Sequence, residues 1–240
     1  MAILIDIGHS FIKTILSHAT GLERNSLRSF SVSDFDNLNN FLKESEHPVF
    51  FAGVLDPLSR KLKQSYPNAV EIFKKDIPLD TRYDRSMIGI DRLLVSYAAV
   101  KKWDGKDILI VDAGTLITID VVDKSNVHLG GFILPSLDKA QDLCLDIIGK
   151  DICKTDVRNV NIGDKSSLPL NTDDAAQYGS CLSLLGAVYL LVDKLNPDIC
   201  VFTGGGTKDI VDGIKRQIDC EVHVDEYLLF EAMRRIAYGT

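Results

Sequence analysis

The feature that most limits what this chain can fold into is a short acidic bend that occurs once in each half. "ILIDIGHSFIKTIL" begins at Ile3, and "LIVDAGTLITIDVV" runs from Leu109 to Val122. In both, an apolar run is broken by Asp-x-Gly and a hydroxyl-bearing residue and then resumes, which reads as two strands joined by a tight turn. The glycine lets another backbone or a phosphate come close. Backbone N–H groups and the hydroxyl of Ser10 or Thr115 can cradle phosphate oxygens. The carboxylate of Asp6 or Asp112 can hold a cation, directly or through water. Lys13 adds a point charge within the first hairpin. One such bend is most simply an Asx-type turn. Two at matching places point to duplicated units that handle a nucleotide.

Length and composition are compatible with that. At 240 residues the chain has room for two units, each of about 100–150 residues. Apolar residues make up 45% and charged residues 25%, an ordinary globular balance. A formal charge of -7 without any long Lys/Arg cluster argues against nucleic acid as a partner. The five cysteines (144, 153, 181, 200 and 220) form no Cys-x-x-Cys pair, so reduced thiols are expected rather than a disulfide framework or zinc site. No signal peptide is evident. No uninterrupted apolar run reaches the ~20 residues of a membrane helix. A cytoplasmic protein without membrane partners is expected.

Strands are expected at 2–7, 11–18, 48–54, 70–73, 108–122 (the second hairpin), 127–135 and 198–203. Helices are expected at 34–46, 56–65, 88–103, 136–148, 172–194, 207–218 and 226–237, and a loop at 150–170. The helix at 34–46 rests on Phe35, Leu38, Phe41 and Leu42 at helical spacing. Asp173 and Asp174 fall in the first turn of the longest helix, where its dipole favours them. "IGIDR" (88–92) lies where a loop enters a helix. Asp91 there is either a cap or a general base for an attacking hydroxyl, and Arg92 can grip a carboxylate through its fork. Gly130 and Gly131 allow close approach of a ligand or a facing helix. Asn171 or Thr172 can cap the long helix, whose N-terminus also suits an anion. "TGGG" (203–206) is a glycine turn after a strand. The five histidines show no metal-ligand spacing, and none is read as catalytic.

In order and spacing, "DIGHSFIK", "GIDR", "DAGTLITID", "GGFILP", "NTDDAAQYG" and "TGGG" resemble type III pantothenate kinase. That family belongs to the acetate kinase, sugar kinase, heat-shock ATPase and actin superfamily. The resemblance implies an α/β chain of two ribonuclease H-like (actin-like ATPase) units, 1–104 and 105–240, with the nucleotide cleft between them. It implies transfer of a phosphoryl group from ATP to the terminal hydroxyl of pantothenate. The product, 4'-phosphopantothenate, opens coenzyme A synthesis. Carried over by position, Asp6, Gly8, His9, Ser10, Lys13 and Thr115 bind ATP, with Asp6 reaching Mg2+ through phosphate or water. Asp91 is the catalytic base. Tyr83, Gly89, Ile90, Asp91, Arg92 and Thr172 meet pantothenate, and Asp112 holds a monovalent cation, K+ or NH4+. A homodimer with sites near the subunit interface is also implied.

The chain departs from the family pattern in two places. His9-Ser10 stands where Asn-Thr is usual, keeping a hydroxyl but changing the shape of the side chain before it. Ser136 stands where a glycine usually follows the Gly-Gly segment. Two other functions remain open: a nucleotide-binding accessory factor for transcription with weak or no kinase activity, and a kinase for another small hydroxy acid.

Overall fold

The computed structural model describes residues 1–149, 168–215 and 217–240, so the loop expected at 150–170 lies mostly outside the described residues. The chain divides into two compact units. The first takes Met1–Asp104, Asn126–Leu129 and Tyr227–Thr240; the second takes Gly105–Ser125 and Gly130–Glu226.

The first unit opens with β1 (Ala2–Ile7), β2 (Phe11–His18) and β3 (Gly21–Ser31), then α1 (Phe35–Lys43), β4 (Val49–Gly53), α2 (Asp56–Ser65) and the two-residue β5 (Val70–Glu71). A 3-10 turn (Lys74–Asp76), the two-residue β6 (Asp80–Thr81) and α3 (Ile90–Lys102) follow. Five strands form a sheet in the order β3-β2-β1-β4-β5, with β1 antiparallel to β2 and parallel to β4. The period-2 alternation of a strand sends Ile3, Ile5 and Ile7 to one face. There they cluster with Phe35, Leu38 and Leu42 of α1, Phe51 of β4 and Leu62 of α2. Leu4, between them, is fully buried too, so β1 is covered on both faces. Each such Ile or Leu stabilises the fold by about 1.5–3 kcal/mol.

The second unit contains β7 (Ile108–Ala113), β8 (Leu116–Val122), β9 (Val127–Pro135), α4 (Leu137–Ile148), α5 (Thr172–Leu195), β10 (Ile199–Thr203), α6 (Thr207–Ile214) and β11 (Glu221–Val224). Its strands run in the order β9-β8-β7-β10-β11. That is the order of the first sheet with every number raised by six, and the senses match: β7 is antiparallel to β8 and parallel to β10. The duplication read from two short bends therefore extends to whole-sheet topology. Val127 and His128, which begin β9 and group with the first unit, pair with β6.

α5 is long and apolar enough to cross a membrane by length and composition. Its Cys181, Leu184, Leu185, Val188 and Val192, at helical spacing, instead join the core cluster with Leu109, Val111 and Phe202. A helix with one such face is built to lie on a sheet. Ser136, the residue in place of glycine, is the N-cap of α4 and accepts a hydrogen bond from the Lys139 N–H at 3.4 Å.

The final helix, α7 (Leu228–Tyr238), returns to the first unit and packs on α3 and on strands β1 to β4. There Tyr238 donates to the Ser17 carbonyl at 2.9 Å, and the buried Arg234 to the Ala19 carbonyl. Three strands went unanticipated. β3 is mostly exposed or half-buried and carries Glu23, Arg24, Asn25 and Arg28, as suits an edge strand that must resist pairing with other chains. It therefore lacks the apolar alternation that announces a strand. β6 and β11 are too short for any periodicity to show.

Candidate active site

Both acidic bends are hairpins, and their details correspond. In the first, Asp6 lies directly across from Lys13, and the turn closes through the Gly8 N–H donating to the Phe11 carbonyl at 3.0 Å. In the second, Asp112 lies across from Thr118, and the Gly114 N–H donates to the Leu116 carbonyl at 3.1 Å. The second turn is one residue shorter, since Ile7 pairs with Ile12 but Ala113 with Ile117. Directly opposed residues share one face of the ladder, about 4.5–5.5 Å apart at Cβ, so Asp6 and Lys13 present opposite charges side by side. Asp6, Ser10 and Lys13 are half-buried, whereas His9 and Thr115 are exposed at the tips.

In the second unit the Thr203-Gly204-Gly205-Gly206 turn lies against Asp112. Thr203 is paired with Asp112 across β10 and β7, and the Gly206 N–H donates to the Ala113 carbonyl at 3.0 Å. Gly204 has φ +87°, and a Cβ added there would come 2.4 Å from Asp112 Oδ1 and 2.7 Å from the Ala113 carbonyl oxygen. Only glycine fits against those atoms. Asp112 Oδ1 and the Ala113 carbonyl oxygen thus lie near each other beside the turn, and both are hard oxygen donors. The Thr207 hydroxyl, fully buried, donates towards the Thr203 and Gly204 carbonyls at 2.5 and 2.6 Å and ties the turn to the start of α6.

The remaining expected residues of the first unit converge on the start of α3. Gly89 is the N-cap, and a Cβ there would meet Asp91 Oδ1 at 2.3 Å. The Asp91 carboxylate thus folds back over Gly89, where its Oδ1 accepts the Arg92 N–H at 2.9 Å. Asp91 is therefore not the N-cap; it lies in the first turn of α3, where the hydrogen bond from the Arg92 N–H orients its carboxylate. Arg92 is buried, 5% exposed, with its guanidinium carbon 5.2 Å from the centre of the Tyr83 ring, a cation–π distance. Ile90 is buried. Thr172 is exposed as the first residue of α5, whose N-cap Asn171 accepts the Asp174 N–H at 2.9 Å.

Three residues beyond the expected set organise this region. Arg85 donates to the carbonyls of Lys74, at 2.6 Å, of Ile77 and of Leu79, gathering the loop that precedes Gly89. Thr81 and His128 are joined by a 2.8 Å hydrogen bond between Oγ1 and Nδ1, and the Thr81 hydroxyl also accepts the Tyr83 N–H at 3.0 Å. A run of backbone-capping contacts has no sequence motif, and His128 is simply the second residue of β9. Asp84, exposed beside Tyr83, accepts hydrogen bonds from the Ser86 hydroxyl and N–H, which hold its carboxyl below the usual range.

The family profile of type III pantothenate kinase matches residues 2–194. A protein of that name from Wolinella succinogenes is 31% identical over 186 residues, covering 77% of this chain and 78% of that protein. Its namesake from Campylobacter hominis is 28% identical over 239 residues, covering 98% and 97%. Among solved structures, a Campylobacter jejuni protein described as a Baf family transcriptional activator superposes with a TM-score of 0.71 at 25% identity, covering 99% of this chain and 98% of that one. A ROK family glucokinase from Streptomyces griseus, with glucose and AMPPNP, gives 0.56 at 10% identity, a likeness of fold alone. These neighbours make the architecture that of the actin-like ATPases and sugar kinases, and the names of the sequence relatives favour a kinase over the transcriptional reading.

Proposed function

The chain belongs to the type III pantothenate kinase family and phosphorylates pantothenate in coenzyme A synthesis, and from that premise we propose a division of labour among its residues. Arg92 grips the pantothenate carboxylate, aided by the positive end of α3. Asp91, adjacent on the same helix start, faces the terminal hydroxyl. As the hydroxyl oxygen bonds to the γ-phosphorus of ATP, its proton passes to Asp91, the bond from that phosphorus to the bridging oxygen breaks, and ADP leaves. With both ends of a small substrate held, in-line attack is largely a matter of positioning. Asp6, Gly8, His9, Ser10 and Lys13 bind the ATP phosphates, Thr115 touches the nucleotide, and Thr172 reaches substrate. Asp6 is the carboxylate suited to Mg2+, and Asp112 with the oxygens around Gly204 suits K+ or NH4+. Bound there, such cations supply positive charge that offsets the phosphate oxygens.

One observation supports this most: the Asp91 carboxylate, pinned by the Arg92 N–H, sits beside a buried arginine stacked on Tyr83. A base and a carboxylate grip on consecutive residues match a hydroxy acid. The test is Asp91→Asn, which removes the base and keeps the size. Turnover is expected to fall ~10²–10⁴-fold, with folding and ATP binding retained. Turnover at the parent level would remove Asp91 from the role.

We also propose a cytoplasmic homodimer. Leu182, Tyr189 and Leu190 are exposed along one face of α5, and Leu143 and Ile147 on α4. An apolar surface of this kind commonly marks a protein partner. Sedimentation equilibrium showing only monomer at micromolar concentration would exclude the dimer.

A further inference from the structure

We propose that His128 and Thr81 are positioning residues that set the affinity for the substrate carboxylate, acting through Tyr83 on Arg92. The inference rests on Arg92 as the carboxylate grip. Strand β6 is only two residues long, and its pairing with β9 puts Thr81 opposite His128. So short a strand has little of its own to fix it. What holds it is His128: the His128 carbonyl accepts the Arg82 N–H at 2.8 Å, and its ring Nδ1 is bonded to Thr81 Oγ1 at 2.8 Å.

His128 is fully buried, where a hydrogen-bonding ring needs a partner, and a wrong one is costly. The Thr81 hydroxyl has one proton and two lone pairs. Accepting the Tyr83 N–H at 3.0 Å still leaves it able to serve Nδ1 in either imidazole tautomer. The Tyr83 backbone is thereby tied to His128 through one hydroxyl, and its ring lies 6.4 Å from the imidazole, centre to centre. On that ring stands the Arg92 guanidinium, at 5.2 Å. The order is therefore His128, Thr81, Tyr83, Arg92, and only the last need touch substrate. A guanidinium whose supporting ring drifts no longer meets a carboxylate with both N–H groups, and misplacement by about 1 Å can cost up to ~10²-fold.

The experiment compares His128→Leu, His128→Asn, Thr81→Val and Thr81→Ser with the parent enzyme. Each is assayed for ADP release with pantothenate and with an uncharged amide of pantothenate that keeps the hydroxyl. His128→Leu and Thr81→Val are expected to raise KM for pantothenate roughly tenfold, within the span that misplacement allows, and to leave kcat within about twofold. They should leave kcat/KM for the amide at the parent value. His128→Asn and Thr81→Ser, which keep a hydrogen-bonding group, should restore most of the affinity. Thr81→Val is nearly isosteric and carries the test if His128→Leu does not fold. An unchanged KM in a folded Thr81→Val variant overturns the proposal, as does an equal loss on acid and amide. If the parent enzyme itself treats acid and amide alike, the Arg92 assignment fails first, and the inference falls with it.

Discussion

Three consecutive glycines, Gly204, Gly205 and Gly206, look interchangeable in the sequence, yet the structure assigns them very different tolerance. Consider Gly204→Ala. With φ at +87°, an L side chain pays a left-handed backbone penalty of about 1–2 kcal/mol. The new methyl would also lie 2.7 Å from the carbonyl oxygen and 2.9 Å from the carbonyl carbon of Ala113. Those are backbone atoms at the end of β7, a strand paired on both sides by β8 and β10, so they cannot step aside cheaply. Forcing a group into such a site adds about 1–3 kcal/mol. The sum, about 2–5 kcal/mol, is a large share of the 5–15 kcal/mol that typically separates folded from unfolded. Gly205→Ala is the control: among the described residues nothing lies within 4 Å of its added methyl, and a change within about 0.5 kcal/mol is expected. Urea unfolding of the two variants measures the difference. The nearest atom of all is Asp112 Oδ1, at 2.4 Å; were Asp112 the ligand of K+, as proposed, Gly204→Ala would also raise the K+ concentration needed for half-maximal activity. Equal stability of the two variants would refute the reasoning, since it would mean β7 yields at Ala113.

Other expectations concern titration and thiol chemistry. The Asp84 carboxyl is lowered first by the Ser86 hydroxyl and then by the Ser86 N–H. A depressed carboxyl contributes its stability above the ordinary aspartate range and loses it as pH falls through the folded value. The Ser86 amide resonance should therefore titrate with a midpoint below that range, and Ser86→Ala should move it back up; no movement would dissociate the two groups. Among the thiols, a hydrogen bond with Cys220, and then burial, push Cys200 up, while that hydrogen bond lowers Cys220, which is only half-buried. Iodoacetamide at neutral pH should modify Cys220 well before Cys200, because the thiolate is the nucleophile. Mass spectrometry showing Cys200 labelled first would contradict this.

The parts of this protein legible in its sequence are those where chemistry forces a residue type. An Asp-x-Gly inside an apolar run has few other uses, and both hairpins stand where expected, at Ala2–His18 and Ile108–Val122. The α3 start announced itself through Gly89, whose missing side chain makes room for Asp91. What stayed hidden depends on partners distant in sequence. β3 is an edge strand whose residues are chosen for solvent, and β6 exists only because Val127 and His128 lie beside it. His128 looks like any strand residue until Thr81 is placed opposite. Ser136 reads as a departure from pattern but is a helix cap.

The return of α7 to the first unit has a consequence for how the protein is made. Arg234 and Tyr238 close onto carbonyls 215 and 221 residues earlier. Chains emerge from the ribosome at about 5–20 residues per second, so the opening sheet must wait on the order of tens of seconds with the ground meant for that helix still bare. The later unit needs no segment beyond Glu226, so it can close before α7 has emerged. Folding order should run against synthesis order, and the apolar surface left waiting is where a chaperone has its opportunity.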